Sequence, residues 1–277
     1  MNFGIIADSS CDLSEELQEK VKADIIPLTL NLGSKHITDD ASLDVDKFLE
    51  EMKACKDKIG SGAPAPGLYA EAMKKVDGTS FVVTLSSRLS GSYNSAAVAQ
   101  KEVEKDGVDS YVVDSKSASA GEVLVALKLR EFIDKGLSKA DIISSIEKFI
   151  KGMQTFFVLD NIDNLLKNGR LGKISGKLIS ALNIKLVMGS DGDGNIVLYN
   201  KARGVKQIVL KLAETIDKVC PDTDGKDLVI AHCNNLPLAH SFESIARVRY
   251  NFRNIFLVKT KGLSSLYAND KGIVIAY

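Results

Sequence analysis

The sequence is short of several features that mark whole classes of protein. No apolar run approaches the length needed to cross a bilayer, and MNFGIIADSS has no basic region followed by a long apolar stretch. A cytoplasmic protein without a transmembrane segment is therefore expected. Net charge is zero, with 36 basic and 36 acidic side chains. That balance argues against nucleic acid as a partner and against an anionic membrane as the main one, leaving room only for transient membrane contact. Cys11, Cys55, Cys220 and Cys233 are scattered without metal or redox spacing, which predicts reduced structural thiols, no metal site and no cofactor. His36, His232 and His240 have no spacing that marks a triad, and G-x-S-x-G does not occur. Neither a phosphate loop nor a magnesium-ligand set is evident, which argues against phosphoryl transfer. Asp191 to Asn195 opens like a calcium loop, but Ile196 stands where glycine is required and no terminal glutamate follows. A hairpin turn is predicted there instead.

What the sequence does have is a stretch of unusual hydroxyl density, FVVTLSSRLSGSYNSAAVA, from Phe81 to Ala99. Phe81, Val82, Val83 and Leu85 suit a strand buried on both faces, and Tyr93 to Gln100 suits a helix. Four serines, Ser86, Ser87, Ser90 and Ser92, fall between them with Gly91. One serine as a helix cap is ordinary, but four exceed what capping needs. A helix N-terminus offers unpaired N–H groups and partial positive charge, so hydroxyls gathered there suit a carboxylate or a phosphate.

The same strand, polar loop and helix recur at Phe3 to Asp12 and at Tyr111 to Gly121. This is the α/β signature of an open, mainly parallel sheet flanked by helices, whose loops gather at its carboxyl edge, where ligands bind. Asp8 and Asp114 read as loop-bracing or capping carboxylates. Asp12 with Glu15 fits a capping box for a helix through Val21, and Ile25 to Leu32 reads as one strand. Gly60 to Gly67 is predicted to be irregular, with Ser61 framed by glycines that let backbone approach a ligand. At 277 residues two domains are expected, 1–153 and 154–277. The second begins with a strand at Phe156 to Leu159, followed by an Asn168–Gly169 helix cap. Leu171 to Met188 is small and aliphatic, a wall for an apolar ligand or simple core. Val205 to Val219 is an amphipathic helix, and strands at Leu228 to His232, Ile255 to Val258 and Gly272 to Tyr277 complete a mixed α/β unit.

The ordered set DSSCDL, the glycine and proline loop near Pro64, LSSRLSGSYNSA, VDSKSASAG, LDNIDNLLKNGR and KARG resembles the DegV family over essentially the whole chain. Those bacterial proteins bind fatty acids and include the FakB subunits of fatty acid kinase. The resemblance implies a two-domain α/β protein enclosing one long-chain fatty acid between its domains. It implies a carrier rather than an enzyme, which presents the acid to a separate kinase for acyl phosphate formation.

By the same resemblance, Ser61 stands for the hydroxyl of the family's T-S-Q-P loop, with Ala63 in place of its glutamine. Ser90 is the second carboxylate donor, aided by the Gly91 N–H and by Ser92. Arg170 keeps the arginine of the G-G-R segment, with Asn168 in place of the first glycine, and serves the headgroup or braces the domain interface. Arg203, in the R-G segment, is a candidate for partner docking, or simply solvated surface. The family's C-terminal H-x-G-P-G-A-L-G is absent. SLYANDKGIVIAY replaces it and puts Tyr267 near the histidine's place, where a phenol donates a hydrogen bond but carries no positive charge. Two alternatives stay open from the residues alone: an enzyme holding a phosphorylated metabolite at the hydroxyl-rich edge, and a regulatory module that uses the lipid as a signal.

Overall fold

A computed structural model describes residues 2–172 and 184–277. Strands that end in polar loops build the first sheet. β1 (Phe3–Asp8), β2 (Ala23–Ile26), β6 (Thr79–Thr84) and β7 (Ser110–Asp114) lie in the order β2-β1-β6-β7, all parallel. Every residue of β6 is buried, as its apolar run requires of a strand covered on both faces. The chain leaves β1, β6 and β7 at one edge, so the three serine-rich loops meet there.

The stretch Ile25 to Leu32, expected as one strand, is two. Pro27 has no N–H to give to a ladder, and beyond it the chain enters a separate three-stranded sheet. That sheet has the order β4-β3-β5, with β3 (Thr29–Leu32), β4 (Lys35–Thr38) and β5 (Ile59–Gly62) all antiparallel. The expectation of irregular structure from Gly60 onward is thus corrected for the first residues. Glycine is tolerated in β5 because the strand lies at an edge, and both prolines fall after it, Pro66 as the first residue of α3 (Pro66–Lys75). A second correction concerns α1 (Glu15–Val21), which is capped by Ser14 through the Leu17 N–H and not by Asp12.

The second sheet has the order β10-β9-β8-β13-β11-β12. Its strands are β8 (Thr155–Leu159), β9 (Ile184–Ser190), β10 (Ile196–Arg203), β11 (Asp227–His232), β12 (Asn254–Lys259) and β13 (Ile273–Ala276). Only β11 and β12 run parallel, so the sheet is mixed. The hairpin predicted at Asp191 to Asn195 joins β9 to β10 and is closed by the Asp191 N–H donating to the Asn195 carbonyl at 3.1 Å. Alternation along β8 sends Phe156 and Val158 into a core with Ile208 and Leu212 of α8 (Val205–Val219) and Phe242 of α9 (Leu236–Arg249). Phe157 and Leu159 point the other way, into a core with Leu28, Leu30 and Phe48. Of the stretch from Leu171 to Met188, expected as a wall for an apolar ligand or simple core, residues 173–183 lie outside the described residues, and β9 takes up from Ile184.

Between the two large sheets sits α5 (Ala120–Asp134), buried continuously from Ala120 to Ala126. Val123, Leu124 and Ala126 share one core with Ile5 and Phe81 of the first sheet and with Val229, Ala231 and Ala276 of the second. A short helix not foreseen from the sequence, α10 (Gly262–Ala268), packs against the small sheet and the second large sheet, beside the loops that leave the first. Seven residues are too few to show a helical period.

Candidate functional site

An apolar cavity lies between the sheets, walled by Phe157 and Leu159 of β8, Leu85 and Leu89 of the central loop, Leu165 and Ile196. Its polar atoms come from different parts of the chain. Ser61 enters from β5, Ser90 from the loop after β6, Arg170 from the segment after α7 (Asp163–Lys167), and Tyr267 from α10.

Ser61, Tyr267 and Arg170 lie side by side, and Ser90 shares their cavity wall. The Ser61 and Tyr267 hydroxyls are 2.9 Å apart. The Arg170 guanidinium lies 5.9 Å from the centre of the Tyr267 ring, and its Nε donates to the Leu89 carbonyl, next to Ser90, at 3.2 Å. The guanidinium also bonds to the Asn168 carbonyl. Asn168 has a part of its own: its amide donates to the Ile59 carbonyl at 3.0 Å, tying the Arg170 segment to the strand that carries Ser61. A hydroxyl pair with an adjacent guanidinium, on the wall of a mostly apolar cavity that Lys116 and several further serines also line, is a site for one small anionic group at the end of an apolar body.

Two residues grouped with them from the sequence are elsewhere. Ser92 is fully buried and off the cavity wall: Tyr69 donates to its Oγ at 2.6 Å, and it donates to Asp8 Oδ2 at 2.5 Å. Its only proton is committed to a carboxylate, which corrects its reading as a donor to a ligand. Gly91 is exposed, also off the wall, and begins α4 (Ser92–Val103) by accepting from the Ser95 N–H at 2.9 Å. Ser90 remains on the wall, where its Oγ also accepts from the Ser92 N–H at 3.2 Å. Arg203, at the end of β10, is exposed and does not line the cavity.

The carboxylates of the three loops brace, as expected of Asp8 and Asp114. Asp8 accepts from the Ser10 and Leu85 N–H groups at 3.1 and 2.9 Å, and Asp114 from the Ser87 N–H at 3.1 Å and its hydroxyl at 2.5 Å. Two further carboxylates brace as well, Asp12, read from the sequence as a cap, and Asp39, not singled out there. Asp12 accepts from the Lys261 N–H at 2.7 Å and from the Ser119 hydroxyl at 2.5 Å. Asp39 accepts from the Gly262 and Leu263 N–H groups at 3.0 and 2.9 Å and from the Ser9 hydroxyl at 2.8 Å. Burial pushes both carboxyls up to about 6, against the pull of those donors. Burial also raises Asp8, and holds Glu122 well above the usual carboxylate range. The signal for Asp12 was the second acid of DSSCDL, read as a cap. For Asp39 there was none, because its partners are 223 and 224 residues away.

Comparison with known proteins places this arrangement. The family model described as uncharacterised proteins of the DegV family matches residues 2–272. The chain belongs to the DegV family. A DegV domain-containing protein of Streptococcus gordonii is 34% identical, with the alignment covering 100% of this chain and 99% of the relative. Among solved structures, a DegV family protein of Ruminococcus gnavus refined with vaccenic acid superposes with a TM-score of 0.95 at 34% identity, covering 99% of each chain. The Streptococcus pneumoniae fatty acid kinase B3 protein loaded with linoleic acid gives 0.89 at 32% identity, covering 100% of this chain and 99% of that one. A DegV protein of Eubacterium eligens loaded with heptadecanoic acid gives 0.90 at 27% identity, covering 99% and 98%.

Proposed function

We propose that this DegV protein is a lipid carrier that binds one long-chain fatty acid, tail in the apolar cavity and carboxylate at the cluster of Ser61, Ser90, Arg170 and Tyr267. The observation that carries this reading is the cluster itself, two serine hydroxyls, a phenol and a guanidinium from four separate elements on the wall of an apolar cavity. The fatty acids in the R. gnavus, E. eligens and S. pneumoniae structures support it. About fifteen methylenes at ~0.8 kcal/mol each give on the order of 10 kcal/mol before ordering losses, so the tail supplies affinity and the cluster supplies orientation.

A separate kinase is the proposed recipient of the bound acid, with this chain supplying no chemistry of its own. The likeness to the S. pneumoniae fatty acid kinase B3 protein supports that role, and exposed Arg203 is its proposed docking residue. The test is mass spectrometry of an organic extract of the purified, denatured protein, set against a mock purification from the same host. One equivalent of a long-chain acid is expected. If the extract holds no lipid and added acids do not bind, the reading fails and a phosphorylated metabolite takes its place.

A further inference from the structure

The cluster is assembled from elements that do not touch one another in sequence, which raises the question of what holds Tyr267 against Ser61. α10 is short, and its position is set at its first residues. Three successive N–H groups, of Lys261, Gly262 and Leu263, donate to buried carboxylates of the first half: Asp12 takes the first and Asp39 the other two. Asp39 follows β4, in the small sheet whose β5 carries Ser61, so one side chain spans from the sheet of Ser61 to the helix of Tyr267. The approach is close. A Cβ at Gly262 would lie 2.3 Å from Asp39 Oδ1 and 2.4 Å from Leu43 Cδ2. One turn into the helix, Ser264 and Tyr267 reach the cavity wall.

We propose that Asp39 is a positioning residue of the carboxylate site: by gripping the start of α10 it fixes the Tyr267 hydroxyl against Ser61, and the site selects a charged headgroup only while that grip holds. The inference rests on the fatty-acid reading of the cavity. A neutral cap would hold a helix start without burying a charge, and Asp39 is 2% exposed, so the carboxylate is held at a loss to the fold. What it gives in return is two full acceptor oxygens for three donors, which an amide does not supply.

Four kinds of group surround Asp39. The Ser9 hydroxyl comes from the loop after β1, the N–H groups from α10, and Lys261, just before α10, favours its charged form. Asp12, from the loop after β1, carries a like charge that interacts with it unfavourably. As pH falls through about 6, one Asp39 oxygen takes a proton and turns from acceptor to donor. The grip then loses a partner at α10.

The experiment compares a long-chain fatty acid with the primary alcohol of the same chain, by calorimetry on delipidated protein across about pH 5 to 8. Wild type is expected to prefer the acid at the upper end and to lose that preference below about 6. Asp39→Asn is expected to cut the preference about tenfold, one charged hydrogen bond's worth, leaving alcohol affinity unchanged. In Asp39→Asn the change near pH 6 should shrink to what the acid's own titration and Asp12, which holds the Lys261 N–H, contribute. Equal loss of acid and alcohol binding by Asp39→Asn overturns the proposal in favour of a merely structural role. So does a wild-type preference that persists unchanged through the window, a result that needs no variant to fold. Failure of wild type to bind either ligand overturns the fatty-acid reading itself, and the proposal with it.

Discussion

Lowering the pH from about 7.5 to about 5 is expected to stabilise the ligand-free fold, and the buried acids around α10 set the size of the effect. Asp12 and Asp39 titrate at about 6 in the folded chain, against 3.8 for the ordinary side chain, because burial disfavours their charged forms. A group raised in this way binds protons more readily when folded, so its contribution is complete below the unfolded value and is lost as pH rises through the folded one. Across that window each acid contributes about 1.4 kcal/mol, and the pair about 3 kcal/mol. With an unfolding entropy of ~2.1 cal/mol/K per residue, the rise in Tm is about 5 °C. Asp8 and Glu122 are raised as well and act in the same direction. His232 opposes them, since burial holds it below its ordinary value and it charges more readily when unfolded. Thermal unfolding of delipidated protein by circular dichroism at fixed ionic strength measures the balance, and His232→Asn removes the opposing group. A Tm in that variant that stays flat or falls on acidification would refute the reasoning, as would an unchanged slope after Asp12→Asn with Asp39→Asn.

Ser61→Ala with Ser90→Ala is expected to weaken fatty acid binding by about tenfold to a hundredfold, since each hydroxyl bond to a charged group is worth about 1.5–3 kcal/mol and water recovers part of it. Undiminished affinity in a direct titration would remove both serines from the site. Arg203→Ala should leave lipid binding untouched and reduce phosphorylation of the bound acid by a fatty acid kinase, and equal loss of both would make Arg203 structural. Gly262→Ala, whose new Cβ would press on the Asp39 carboxylate and Leu43, should lower Tm, with a loss of about 1–3 kcal/mol. Ligand-induced protection of α10 amides in hydrogen exchange should fall with it. Unchanged Tm and protection would show that α10 shifts freely.

The sequence was most legible where the chain repeats one local pattern. Strands expected to end at Asp8, Ser86 and Asp114 predicted a parallel sheet and put their serine loops on one edge, where the structure has them. Period carried α8, and the Asp-Gly run carried the β9–β10 hairpin. What failed did so for local reasons of a different kind. Pro27 divided a run that composition alone would join, and glycines in β5 hid an edge strand. The hydroxyl cluster was visible as a cluster, but which oxygen was free was not. Ser92 is spent on Asp8, 84 residues away, and Ser61 meets Tyr267 across 206 residues. Asp39 and α10 were invisible because each makes sense only beside the other.

The buried helix α5 has a consequence for how such a protein can be taken apart. It gives Val123, Leu124 and Ala126 to a core that also contains Ile5, Phe81, Val229 and Ala276. Severing the chain near residue 153 would leave α5 in one fragment with apolar surface that only the other fragment covers. The two pieces are expected to be insoluble apart and to complement when co-expressed. Gene fusion or exchange between relatives is then best attempted with both halves from one parent, since the seam between them is an interior.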